Sequence, residues 1–297
     1  MSRKLDGIHF MMPTPFDDQR QIDEDCIPRL VELAVDAGCA GIVCLGVMGE
    51  HTRLTDGERQ QIIRRVAQEA AGRISVTVGA SAQGTYMAVQ HALEAQELGV
   101  TAVMVAPPTM AKPNLDAVFA YYKAINDAVA ISIVVQDFPE VNGVFMPAPF
   151  IGRLKEELEQ VHYLKLEDPP TPPKVTAVSN VTGDTLGIFG GLGGVFLLEE
   201  LLRGACGTMT GFAYPEVLVE VHRYVSAGQE EQARAHFYRY LPLIRYESQQ
   251  GIGLSLRKEI LKRRGALNTA NLRHPGAEVD EATRQELYRT LDSVEFS

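Results

Sequence analysis

The sequence predicts an α/β protein, a (β/α)8 (TIM) barrel with a C-terminal helical extension. Three observations carry this. Eight short apolar runs alternate with longer amphipathic stretches from Ile8 to Val225. The runs are apolar on both faces, as parallel strands covered by helices are. No glycine fingerprint of a dinucleotide-binding open sheet follows the first run. Closing the sheet leaves no exposed edge strand, so a barrel is the economical solution.

Residues 8–12 read as the first strand, closed by Pro13-Thr14-Pro15. Over 24–37, Ile27, Leu30, Val31, Leu33 and Ala34 recur at helical spacing, with Gly38 as the stop. Residues 41–45 form the second strand. The helix after it spans 55–71 and opens on Thr55-Asp56-Gly57-Glu58, a capping-box pattern. Strand 74–79 precedes helix 86–98, and strand 101–106, ended by Pro107-Pro108, precedes helix 115–128. Residues 130–135 are the fifth strand and 148–158 its helix. The sixth strand lies within Val161-His162-Tyr163-Leu164-Lys165-Leu166-Glu167-Asp168, stopped by Pro169-Pro170, with a helix over 173–180. A weak strand at 187–190 leads to helix 195–203, and strand 206–210 to helix 215–225. Helical patterns at 230–246, 254–264 and 281–294 are too long for one barrel helix. They divide the chain into a barrel over 1–228 and a helical subdomain over 229–297.

Composition sets limits on function. The 297 residues carry a formal net charge of −10 with no dense Lys/Arg run, which argues against a nucleic-acid or anionic-membrane surface. No apolar run is long enough to span a membrane, and the N-terminus lacks a signal-peptide core. Cys26, Cys39, Cys44 and Cys206 form no CxxC pair and complete no metal-ligand spacing with the seven histidines. Cys39, Cys44 and Cys206 read as buried free thiols, which fits a reducing cytoplasm.

In the sixth strand, Tyr163, Lys165 and Glu167 share one face, and Leu164 and Leu166 the other. Burying an ammonium is costly unless it is paired or neutralised. One account is a lysine that attacks a carbonyl as its neutral amine and forms a Schiff base. The other is a structural Lys165–Glu167 ion pair, or an exposed edge strand. The remaining lysines, among them Lys174 and Lys258, fall in the N-terminal segment, loops and helices, where solvation explains them. That contrast favours the Schiff base.

Active sites of such barrels lie at the C-terminal ends of the strands. Those ends carry Gly46-Val47-Met48-Gly49-Glu50, Gln136, Lys165 with Glu167, Gly190-Gly191 and Met209-Thr210-Gly211. The glycine-flanked turn at 46–49 offers backbone N–H groups to a carboxylate, or is an ordinary turn. Glu50 could cap the helix that follows. Gln136 hydrogen-bonds but does not titrate, so it orients a ligand. Glu167, about 7 Å further along the strand than Lys165, could serve as base and acid.

In order and spacing, Pro13-Thr14-Pro15-Phe16, Gly46-Val47-Met48-Gly49-Glu50, Pro139 and Lys165 resemble the dihydrodipicolinate synthase / N-acetylneuraminate lyase family. The resemblance spans essentially the whole chain. It implies a Schiff-base barrel, a homotetramer in most members, acting on pyruvate or another 2-keto acid with no cofactor. It puts the imine on Lys165 and the keto-acid carboxylate on the Val47 and Met48 amides. Gly190 and Met209 join them as substrate-binding candidates at the ends of strands seven and eight. The usual members carry a tyrosine where Gln136 stands, and the synthases an arginine near Val141, so synthase chemistry is disfavoured. Val135-Gln136-Asp137 with Pro139, Lys165 with Glu167, Met209-Thr210-Gly211 and Arg273-His274-Pro275 are similar to the family's L-2-keto-3-deoxyarabonate dehydratase branch. Dehydration of a 2-keto-3-deoxy sugar acid is therefore expected. A pyruvate-dependent aldolase, a deaminase or hydratase, and a non-catalytic keto-acid-binding barrel are the alternatives.

Overall fold

The computed structural model describes residues 5–294, so residues 1–4, Lys4 among them, and Phe296 lie outside the described part. Eight parallel strands hydrogen-bond in chain order and close on themselves, β8 against β1. They are β1 (Gly7–Met11), β2 (Gly41–Cys44), β3 (Ser75–Gly79), β4 (Ala102–Val105), β5 (Ser132–Asp137), β6 (Val161–Leu166), β7 (Gly187–Gly190) and β8 (Gly207–Thr210). Between them run α1 (Cys26–Asp36), α2 (Asp56–Ala70), α3 (Thr85–Glu97), α4 (Leu115–Ala128), α5 (Pro139–Asn142), α6 (Ala148–Glu157), α7 (Thr171–Thr182) and α8 (Leu197–Leu202), and α9 (Pro215–Ser226) follows β8.

The period of two sorts the strand residues into two cores. Met11, Val43, Met104, Val134, Tyr163, Phe189 and Met209 meet inside the barrel. Their strand neighbours, including Leu164, Leu166, Ile133 and Val135, face the helices. The capping box of α2 forms as its sequence requires, Thr55 accepting from Glu58 N–H and Glu58 from Thr55 N–H.

One boundary that shapes the site differs from the sequence reading. Strand β5 runs to Asp137, where apolar content alone ended it at 135, because its polar end finds partners. Gln136 pairs in register with Lys165, and Asp137 accepts Glu167 N–H on its carbonyl and Lys174 Nζ, at 2.6 Å, on its carboxylate. The single-turn α5 was unforeseen. The thiols also differ: Cys26 is buried and Cys206 only half-buried, and none of the four is in a disulfide.

Beyond the turn at Gly228, α10 (Glu230–Glu247), α11 (Gly253–Arg263) and α12 (Glu281–Asp292) form the C-terminal part. Helix α10 packs along α9 and touches α12. No described helix is long and apolar enough to cross a membrane.

Candidate active site

Lys165 sits one residue before the end of β6, with Tyr163 beneath it on the same barrel-facing side. The Tyr163 ring lies 5.4 Å from that of Phe189, and its hydroxyl accepts Leu5 N–H at 2.9 Å. These rings plug the barrel below the lysine, so its amine reaches only upward. Lys165 is buried, and its Nζ lies 2.9 Å from Glu167 Oε2. Glu167 is held from two further directions. Gln136 Nε2 donates to Oε2 at 2.8 Å, and Leu192 N–H to Oε1 at 3.3 Å. Gly191 makes this fit possible: a Cβ there would stand 2.5 Å from Glu167 Cγ and 2.6 Å from Oε1.

Val47–Gly49 forms one 3-10 turn, closed by Gly49 N–H to Gly46 O and Glu50 N–H to Val47 O. Those two bonds leave the N–H groups of Val47 and Met48 at the leading edge of the turn, as helix starts do. Glu50 does not cap α2, a role Thr55 takes. It occupies the left-handed region at φ 53° and turns inward. Its Oε1 meets Lys258 Nζ at 2.6 Å, and its Oε2 accepts from Arg53 at 2.7 Å and from Arg273 N–H at 3.0 Å.

Lys258 therefore corrects the sequence reading of the lysines, since it is fully buried and not solvated. Burial pushes its ammonium down to about 8 against the opposing pull of Glu50. Lys174 is likewise engaged, bridging Asp137 and Asp168 at 2.6 and 2.7 Å.

Above the lysine opens a cavity of about 980 Å³ lined by Val47, Met48, Gln136, Lys165, Glu167 and Met209. Gly190 is not among its lining residues. The space a side chain would need at Gly190 holds the Glu200 carboxylate, on the helix side of β7. That carboxyl is fully buried, accepts from Thr171 at 2.5 Å, and is pushed by burial up to about 7. Gly190 thus faces away from the cavity, and Gly191 is the glycine that shapes the site.

The far wall comes from the C-terminal helices and was not legible in the sequence. Glu247 at the end of α10, Arg257 on α11 and the segment 275–277 line the same cavity. Arg257 Nε donates to Glu247 Oε2 at 3.3 Å. The signal, faint in isolation, is that Leu254, Arg257, Lys258 and Leu261 share one face of α11, an apolar stripe broken by two cations.

The sequence matches the dihydrodipicolinate synthetase family over residues 4–294. The chain belongs to that family. An L-2-keto-3-deoxyarabonate dehydratase of Azospirillum brasilense is 34% identical over 97% of this chain and 95% of that protein. A 4-hydroxy-tetrahydrodipicolinate synthase of Chloroherpeton thalassium is 30% identical over 64% of this chain and 62% of its own length. Among solved structures, that of a dihydrodipicolinate synthase from Rhodopseudomonas palustris superposes with a TM-score of 0.92. It is 35% identical and covers 97% of each chain. Membership makes the chain one of a family of lyases built on this barrel, while the relatives carry two different activity names.

Proposed function

We propose that this chain is a Schiff-base hydro-lyase that dehydrates a 2-keto-3-deoxy sugar acid, with L-2-keto-3-deoxyarabonate the substrate that best accounts for its site. The observation that carries the reading is the Lys165–Glu167 pair, 2.9 Å apart on the floor of the cavity. A buried ion pair gains little over apolar residues of the same volume. Its use here is chemical.

A proton passing from Lys165 Nζ to Glu167 Oε2 leaves a neutral amine facing the cavity. That amine adds to the C2 carbonyl, and the carbinolamine hydroxyl leaves as water with the proton held by Glu167, which gives a protonated imine and returns Glu167 to its carboxylate form. The imine nitrogen draws electrons from C3, so a C3 proton can be lost to a base. Glu167, steadied by Gln136 and Leu192, is that base. The resulting enamine expels the C4 hydroxyl, which leaves as water with a proton from Glu167. Proton shifts and hydrolysis of the imine then release 2-oxoglutarate semialdehyde and restore Lys165. One water is lost overall and no external oxidant or reductant is consumed. In this reading the Val47 and Met48 amides hold the carboxylate, and Met209 forms part of the apolar wall.

Gln136 separates this reading from carbon–carbon cleavage. Retro-aldol chemistry needs a base for the C4 hydroxyl, and an amide cannot supply one. The similarity to the Azospirillum dehydratase supports the same choice. We propose further a homotetramer, by family resemblance, and no cofactor, since the imine itself is the electron sink.

Intact-protein mass spectrometry after borohydride reduction tests the proposal, with pyruvate and with L-2-keto-3-deoxyarabonate, alongside Lys165→Ala. The expected result is an adduct with each compound, lost in the variant, and a semialdehyde product from the sugar acid. Release of pyruvate would replace the dehydratase by an aldolase. No adduct with either compound would leave Lys165 as half of a structural pair.

A further inference from the structure

The roof of the cavity carries a charged pair that the proposed chemistry leaves unused. Arg257 is 7% exposed and lines the cavity. Its Nε is fixed by Glu247, and its Nη1 lies 3.1 Å from Met48 Sδ, a weak acceptor for a cation. A glycine in the turn after β7 makes room for it, since a Cβ on Gly193 would stand 2.9 Å from Nη2.

Glu247 is in the complementary condition. Its Oε2 accepts from Arg257 and from Ala213 N–H at 3.2 Å, while its Oε1 is buried without a hydrogen-bond partner among the described residues. A buried carboxyl oxygen without a partner is costly.

An unsatisfied acceptor therefore sits beside a guanidinium with N–H groups to spare. A hydroxyl suits both, because it donates to one and accepts from the other. A carboxylate accepts only, so it offers Glu247 Oε1 no donor. An alkyl end would leave both polar groups desolvated and unpaired.

We infer that Arg257, held in place by Glu247, is a specificity-determining residue that hydrogen-bonds a hydroxyl at the end of the substrate remote from the carbon joined to Lys165. The inference rests on the imine reading above and adds to it the part of the substrate that the barrel strands do not read.

The test compares two ligands that form the same imine, pyruvate without a distal hydroxyl and L-2-keto-3-deoxyarabonate with one. The concentration giving half-maximal borohydride-trapped adduct is measured by intact mass for the wild-type protein and for Arg257→Met, Arg257→Lys and Glu247→Gln. Arg257→Met is expected to raise this value about 10- to 100-fold for the sugar acid and less than about threefold for pyruvate. Arg257→Lys, which keeps the charge and loses the fork, restores only part of the difference. Glu247→Gln shifts the same ligand in the same direction. Equal weakening of both ligands would place Arg257 on the carboxylate and overturn the inference, as would no weakening of either. Should the variants fail to fold, the wild-type protein still decides. It must bind 4-hydroxy-2-oxopentanoate, which lacks the terminal hydroxyl, about tenfold more weakly than the sugar acid, and equal affinity overturns the inference. Absence of any adduct in the wild-type protein would instead strike the imine reading, and the ligand assigned to this subsite with it.

Discussion

Lys258 Nζ lies 2.6 Å from Glu50 Oε1, and both side chains are shut off from solvent. The contact joins residues 208 positions apart and anchors the turn that carries the Val47 and Met48 amides to helix α11. The same ammonium donates to Asn271 O at 2.8 Å and sits 4.6 Å from the centre of the Phe16 ring. Removing one partner strands the other charge in the interior. Lys258→Met is therefore expected to cost about 3–5 kcal/mol in urea denaturation. The Glu50→Gln, Lys258→Met double variant should lose clearly less than the sum of the single changes. A strictly additive result would mean that the pair is not coupled.

Gly191→Ala should damage catalysis more than stability. The added carbon would meet the Glu167 carboxylate stem and push it from Lys165 and Gln136. With Glu167 as the base, kcat is expected to fall by about 100-fold or more, while pyruvate is still trapped on Lys165. A variant as active as the wild-type protein would show that Glu167 need not stand where it does.

Gln136→Leu removes the 2.8 Å hydrogen bond to Glu167 and keeps a similar volume. Steady-state kinetics should show kcat lowered about tenfold with KM little changed, since the amide orients the base and does not itself exchange protons. A rise in KM alone would reassign Gln136 to ground-state binding.

Glu200 behind β7 gives a pH signature. Its carboxyl is raised by burial from 4.5 to about 7, with Glu167 and Glu199 adding to the rise and Thr171 opposing it. The folded protein thus holds a proton there that the unfolded chain releases above about 4.5. This group's contribution is fully present below that value and is lost as pH rises through about 7, on the order of 3 kcal/mol in all. Glu247, also raised to about 7, titrates in the same window. The comparison that isolates Glu200 is the change in unfolding free energy between pH 5 and pH 8 in the wild-type protein and in Glu200→Gln. The variant should lose less over that interval, and an equal loss in both would assign the slope elsewhere.

What could be read from the chain was whatever obeys a short period. Alternation along β6 gave Lys165 and Glu167 one face and Leu164 and Leu166 the other, and the structure turns the first pair to the cavity and the second to the helices. The end of β5 was missed because Asp137 and Gln136 owe their places to partners on β6 and α7. Lys258 was misread for the same reason, since no local pattern announces an acidic partner at Glu50. Gly190 was chosen as the last residue of its strand, but the face on which a glycine lacks a side chain depends on what packs behind it, here Glu200.

The division of labour around the cavity bears on how such proteins diverge. Lys165, Glu167 and Gln136 belong to β5, β6 and the residue just beyond, whereas Glu247 and Arg257 belong to α10 and α11. A lineage can rewrite the second group by ordinary drift without rebuilding the first. Relatives that keep the same barrel and lysine would then part company in what they consume, and a graft of α10 and α11 from one to another would carry the preference with it.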